Sequence, residues 1–248
     1  MTGIKLSNVI NRICFFILLL FWMSSASALP NQILWIPDVK MLREDVCRFD
    51  MQDLVTLSRK SSDTPGGFYG MAFGGNCGIY ASEQVRIEAG LDWKESHDYA
   101  ITSLTDGLFA QFQVQLFDID ERHWGLSLGA YDVGTKSGTN NFNVFYFMAQ
   151  HQAGVYRFGL GAYGGNGQIL LNGDGKAESQ GLLIGIWKKI ENGDVGFEWQ
   201  TGYNRYGYMF LGARKIISQR TYATLGYGIA NDTKLMRDVL LVKLGYVF

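Results

Sequence analysis

The chain has 248 residues, and its 22 Lys+Arg against 23 Asp+Glu leave a formal net charge of -1, a balance that argues against nucleic-acid binding. Glycine supplies 31 residues, about 12% against the usual ~7%, beside 14% aromatic, 47% hydrophobic and only 18% charged residues. Low charge with this much apolar surface excludes disorder, and abundant glycine with aromatics disfavours a helical enzyme in favour of many short strands.

The first residues read as an export signal. Lys5 and Arg12 form a basic start, Ile13 to Met23 is an unbroken apolar run, and Ala26-Ser27-Ala28 offers a small-residue cleavage site. Eleven apolar residues fall short of the 18 or so that span a bilayer, so a cleaved signal over residues 1–28 is favoured over an anchoring helix. Its removal takes away Lys5, Arg12 and Cys14 and no acid, leaving 20 basic and 23 acidic residues. Cys47 and Cys77 are then the remaining thiols in an oxidising compartment, and a disulfide between them is expected in preference to two buried free thiols. Closing such a loop would stabilise by about 3–4 kcal/mol on a chain-entropy basis.

Residues 29–84 show no alternation and are expected to form a separate N-terminal segment, at the periplasmic mouth or as a plug. Asp38 can cap a helix whose apolar face carries Val39, Leu42, Val46 and Phe49, and Pro65-Gly66-Gly67 ends whatever follows.

From Val85 to Phe248 the polarity alternates with a period of two. Val85, Ile87, Ala89, Leu91 and Trp93 alternate with Arg86, Glu88, Gly90, Asp92 and Lys94. Ala110 to Leu116 alternate with Gln111, Gln113 and Gln115; similar stretches run from Trp124, Tyr156 and Val195, each with glycine, amide or a lone charge on the second face. A soluble sandwich would turn the apolar face to a core, a membrane barrel to lipid. Strands centred near Phe145, Ile184, Phe210, Leu225 and Val242 complete about ten, those near Phe145 and Phe210 being apolar on both faces. Tight turns at His151-Gln152, Glu191 to Gly193 and Ile217-Ser218 contrast with longer loops at Glu95–Asp106, Val133–Asn140, Gly164–Ala177 and Ala230–Met236. Short turns on one rim and long loops on the other fit a bacterial outer-membrane barrel, and an even strand number satisfies the parity of the two ends.

The last strand alternates Leu240, Val242, Leu244, Tyr246 and Phe248 with Leu241, Lys243, Gly245 and Val247. An aromatic two residues from the end and a terminal Phe resemble the signal by which Gram-negative outer-membrane β-barrel proteins are recognised for assembly. With the export signal and the alternation, the resemblance implies an all-β, antiparallel transmembrane β-barrel of about ten strands over residues 85–248, preceded by a short helical segment. It also implies a place in the outer membrane, contact with lipid including lipopolysaccharide, and the barrel-assembly machinery as a partner reading Leu244, Tyr246 and Phe248. Autotransporter translocator domains resemble this arrangement too, with a helix before twelve strands, and would take two further strands from Phe68–Gly74 and Gly78–Ser82. The lack of a passenger and the expected disulfide set this chain apart from them.

Chemistry is sparse. Gly164-Gly165-Asn166-Gly167 and Gly173-Asp174-Gly175-Lys176 lack phosphate-loop spacing and read as loop. Asn172, Asp174, Glu178 and Asp232 do not follow a calcium-loop pattern, and neither a metal nor a cofactor is expected. His97 beside Ser96 and Asp98 is the one candidate for a rim hydrolase acting on lipid or peptide; His123 and Ser127 are about 13 Å apart along a strand, too far for a base and its nucleophile, and His151 sits in a turn. The patterns of outer-membrane acyl hydrolases and omptin-type proteases have no match, and Asp118-Ile119-Asp120 falls on the short-turn rim. The lumen should instead receive Arg86, Glu88, Asp92, Lys94, Arg157, Glu198 and Lys243 as a paired charge network, with Lys243 brought near Glu88 to Asp92 by closure of the first strand on the last. The leading functional expectation is a non-enzymatic barrel acting through mobile outer loops; a narrow passive channel for small polar solutes is the alternative, and the rim hydrolase a further one.

Overall fold

The computed structural model describes residues 32–56, 69–96, 107–117 and 119–248. The expected signal peptide, His97 and most of its loop, Pro65 to Gly67 and Asp118 lie outside the described residues.

Twelve antiparallel strands close into one barrel: β1 (Cys47–Thr56), β2 (Tyr69–Ala81), β3 (Val85–Ser96), β4 (Leu108–Leu116), β5 (Trp124–Val133), β6 (Val144–Ala153), β7 (Tyr156–Gly164), β8 (Gln180–Ile190), β9 (Gly193–Gln200), β10 (Tyr208–Ile216), β11 (Thr221–Ala230) and β12 (Val239–Val247). Each strand pairs with its neighbours in sequence, and β1 pairs with β12 to close the ring. A single turn of helix, α1 (Ile119–Arg122), lies between β4 and β5.

The apolar members of each alternation face outward. Leu160 and Leu211 are 60% and 67% exposed, and Phe112, Leu128, Phe147 and Leu244 stand on the same exterior. Such a surface on a closed barrel suits hydrocarbon, where closure leaves no unpaired strand edge. The connections 82–84, 154–155, 191–192 and 217–220, with the helical 117–123, join strands at one rim, and 57–68, 97–107, 134–143, 165–179, 201–207 and 231–238, none shorter than 117–123, join them at the other. The tight β6–β7 turn is Gly154-Val155, three residues beyond the expected His151-Gln152; Gly154 takes φ +60, which a residue with a Cβ adopts only under strain.

Three expectations are corrected. The strand number is twelve, not about ten, because the barrel begins at Cys47 rather than Val85. The expected helix over Val39 to Phe49 is absent: residues 38–46 hold bends, a turn and an isolated bridge, and Cys47–Thr56 is a strand. Finally, the closing seam joins β12 to β1, so Lys243 lies opposite Gln52 and not beside Glu88 to Asp92. Physical reasons underlie the misreading. In β1 the outward face includes Asp53 among Phe49, Met51 and Val55, which blurs the alternation, and in β2 register shifts at Tyr69/Ala72 and Gly78/Tyr80 break the period of two.

Twelve strands enclose more space than the eight whose side chains alone fill a barrel. Residues 32–46 fill it here. Ile33, Leu34, Ile36 and Val39 are at most 1% exposed and join the apolar cluster inside the barrel.

Candidate functional site: the occupied lumen

The site is the inner wall together with the segment that lies against it. Residues 33–36 rest on the wall made by β8, β9, β10 and β12. Trp35 stacks on Phe210 at 5.2 Å and meets Tyr208 edge-on at 5.6 Å, while its indole N–H donates to the Tyr206 carbonyl at 3.0 Å. Leu34 sits over Gly212, where a Cβ would come within 2.7 Å of its Cδ2. The same Cβ would meet the Leu225 carbonyl oxygen at 2.4 Å and the Gly226 Cα at 2.7 Å, so the β11 backbone holds this position to glycine and leaves the space above it to Leu34.

Glu198 on β9 holds this segment by its main chain. Its carboxylate accepts N–H bonds from Leu34 at 3.0 Å, Trp35 at 2.5 Å and Ile36 at 2.6 Å, and from the Trp187 indole at 2.8 Å. Lys243, 1% exposed, reaches Gln32 Oε1 at 3.3 Å and the Leu34 carbonyl at 3.5 Å.

Residues 38–42 then cross to the opposite wall. Arg157 on β7 pairs with Asp38 at 3.1 Å, and its guanidinium lies 5.1 Å from the Trp187 ring, so the anchors of the two halves of the segment share one tryptophan. The Gln113 amide donates to the Asp38 carbonyl at 2.5 Å, Gln115 accepts from Met41 N–H at 3.3 Å, and Glu88 accepts from Leu42 N–H at 3.0 Å. At the short-turn rim Asp45 N–H bonds the Gly78 carbonyl at 3.2 Å, and Cys47 is bonded to Cys77, its direct cross-strand partner.

The seven residues expected to form one lumen network are placed as follows. Glu88, Asp92, Lys94, Glu198 and Lys243 are buried on the inner wall, and Arg86 and Arg157 are partly buried. They do not form one connected ladder. Lys94 pairs with Asp132 and stands 3.9 Å from Asp92; Asp132 also accepts from Tyr206 OH at 2.6 Å. Arg157, Glu88, Glu198 and Lys243 each serve residues 32–42. A separate group near the short-turn rim joins Arg48 with Asp50 at 2.7 Å and Tyr222 with Asp50, contacts that depend on β1 being a strand, while Arg214 pairs with Asp194 at 2.6 Å across β9 and β10.

The wall of β1 to β6 is different in kind. Gln52, Gln111, Gln113, Ser127, Tyr146 and Gln150 are buried there, and each has at least one side-chain polar atom with no hydrogen-bond partner.

At the long-loop rim Asp174 pairs with Lys234 at 2.8 Å, and Asp232 accepts from Gly173 N–H at 2.7 Å and Lys234 N–H at 2.9 Å. The Lys234 ammonium, through its hydrogen bond and its charge, holds the Asp174 carboxyl below the usual carboxylate range. These acids are thus engaged by N–H donors, and among the described residues no group of three or more His, Cys, Asp or Glu is placed to hold a metal ion. His151 stacks on Trp124 at 4.3 Å with its Nδ1 3.0 Å from the His123 carbonyl oxygen, while Ser127 is buried on the lumen side.

Leu244, Tyr246 and Phe248 face outward, 45%, 43% and 56% exposed. A closed antiparallel barrel of even strand number, apolar outside and polar within, with an outward aromatic last strand, is now complete. It has the fold of an outer-membrane β-barrel protein. No protein family matches the chain, and no curated protein is similar to it in sequence. Among solved structures it is similar to an outer-membrane channel from Pseudomonas putida F1, at 11% identity and TM-score 0.45, over 89% of this chain and 100% of that one. It is also similar to OmpF of Salmonella typhi in complex with daunomycin, at 7% identity and TM-score 0.44 over 82% and 97% of the two chains. A triple mutant of the Rhodopseudomonas blastica porin is 10% identical with TM-score 0.33, over 82% and 98%. These likenesses concern the fold alone.

Proposed function

We propose that this protein is a non-enzymatic outer-membrane channel for small polar solutes, held closed by its own residues 32–46. The observation that carries the reading is the mismatch between the two sides of the lumen. One side is fitted to residues 33–36, whereas the β1 to β6 side meets residues 38–42 through Glu88, Gln113 and Gln115 and otherwise presents buried amides and hydroxyls with unpartnered atoms, a composition that suits a hydrated path. A lumen intended to remain solid would be filled more cheaply by apolar side chains. The short-turn rim faces the periplasm on this reading, the long loops face outward toward lipopolysaccharide, and Leu244, Tyr246 and Phe248 are the residues offered to the assembly machinery.

The test is single-channel conductance in planar bilayers, on the whole protein and on a form lacking residues 32–42. Rare or absent openings in the first and discrete steps in the second are expected. Silence in both overturns the channel and favours an interaction role at the long-loop rim. That role has one observation behind it: the clasp of loops 165–179 and 231–238 through Asp174, Lys234 and Asp232 makes a joined surface there.

A further inference from the structure

We infer that the β8–β9–β10–β12 wall is a binding site for a tightly turned, apolar peptide segment, that Glu198 is its recognition residue, and that residues 33–36 are its resident, displaceable ligand. The inference extends the channel reading by naming the contact that decides whether the lumen is occupied.

Glu198 is fully buried, and its hydrogen-bond partners are all N–H groups: three consecutive main-chain amides and one indole. Successive N–H groups of an extended chain point to opposite sides; here residues 33–36 bend between the bridged Gln32 and Pro37 and turn three amides toward one carboxylate, so the contact reads a turned backbone and not side-chain identity. Side-chain selection comes from the surface around it. Phe210 and Tyr208 receive an aromatic ring, and Gly212 leaves room for a branched aliphatic side chain. The ligand class is therefore a short, tightly turned peptide segment with aliphatic and aromatic side chains.

Removing such a ligand would leave a bare carboxylate in a closed interior, with only the Trp187 N–H still aimed at it. That cost keeps the site occupied. It also means that weakening this one acceptor should loosen residues 34–36 out of proportion to any change in the barrel. Glu198→Gln keeps the side-chain size and one acceptor oxygen while removing the charge.

The experiment is hydrogen exchange of the amides of Leu34, Trp35 and Ile36 in the full-length protein in lipid, read alongside conductance. Glu198→Gln should speed their exchange by on the order of ten- to a hundredfold, with the amides of β6 and β7 within about twofold of the parent. Should that variant fail to fold, Glu198→Asp retains the charge but withdraws the carboxylate by one methylene, and the same local acceleration is expected. Unchanged exchange at residues 34–36 in a folded variant overturns the inference. Faster exchange with a silent bilayer leaves the peptide site standing and removes the channel reading; faster exchange with new openings supports both.

Discussion

The two walls of the lumen are made from the same alternating strands and are finished in opposite ways. Along β8 to β12 aromatic, aliphatic and glycine positions surround the buried Glu198 and Lys243, and residues 33–36 cover them. Along β1 to β6 it is rich in glutamine, serine and paired charge, and several of its polar atoms lack partners. An inner wall records what it faces. Where the apolar side chains of residues 33–36 lie against it the composition approaches that of a soluble protein core, and where residues 38–42 meet it through main-chain groups the composition stays polar.

The sharpest way to break this comparison is at the charge that bridges the walls. Arg157→Leu leaves Asp38, 2% exposed at its side chain, with a main-chain amide as its remaining donor. Loss of about 3–5 kcal/mol is expected for a buried pair deprived of one partner, measured by denaturant unfolding in lipid vesicles. A change under about 1 kcal/mol would mean that residues 32–46 are not held by this pair. Next in size is Leu34→Ala, which empties the space over Gly212; about 2–4 kcal/mol should be lost if the peptide is packed as a core. The same truncation at an exposed lumen position would cost far less, so a small value would place Leu34 outside the packed wall.

On the other side the sign should reverse. Gln150→Leu exchanges a 1% exposed amide, both of whose polar atoms lack partners, for an apolar side chain of similar size. Unfolding should show no loss, or a gain of up to about 1–2 kcal/mol. A clear loss would show that the amide has partners in the membrane-embedded state. The smallest effect lies at the long-loop rim. Asp174 carries a depressed carboxyl, so whatever its pairing with Lys234 contributes to holding the loops is present above the ordinary carboxylate pKa and lost as pH falls through the lower folded value. An NMR titration of Asp174 should have its midpoint below that of a free aspartate and return to it in Lys234→Ala, with no measurable change in global unfolding.

Much of the barrel was legible in the sequence. The outward faces of β3, β4, β7 and β9 follow directly from the period of two, and the disulfide follows from export and cysteine count. The strands near Phe145 and Phe210 resisted a register because both of their faces are apolar. The structure supplies the reason: Tyr208 and Phe210 point inward to Trp35, and Val144, Tyr146 and Met148 point into the same apolar cluster. Two-faced apolarity in a barrel strand is thus the trace of something seated inside. The site was legible only in part. Arg157, Glu198 and Lys243 read as interior charges, yet Glu198 is met by the main-chain amides of Leu34 to Ile36 and Lys243 reaches the Leu34 carbonyl besides the Gln32 side chain, and backbone groups leave no mark in a sequence; Arg157 pairs with the Asp38 carboxylate, which the sequence offers only as a helix cap. The spacing of Val39, Leu42, Val46 and Phe49 pointed to a helix because two different periods overlap there, a packed segment running straight into a strand.

Cys47 joins three parts of the molecule: it ends the lumen segment, it is bonded to Cys77 across β1 and β2, and its N–H and carbonyl exchange 2.9 Å bonds with Phe248. The first of these neighbours is local and the last is at the far end of the chain. During folding, therefore, β1 can find β2 early but must wait for the final residue before its other edge is covered, the slow kind of contact in any chain. Until then both β1 and β12 present open edges that could pair with another copy. The cysteine pair fixes β1 in register with β2 through that interval, so the search that closes the barrel reduces to one strand finding one prepared edge.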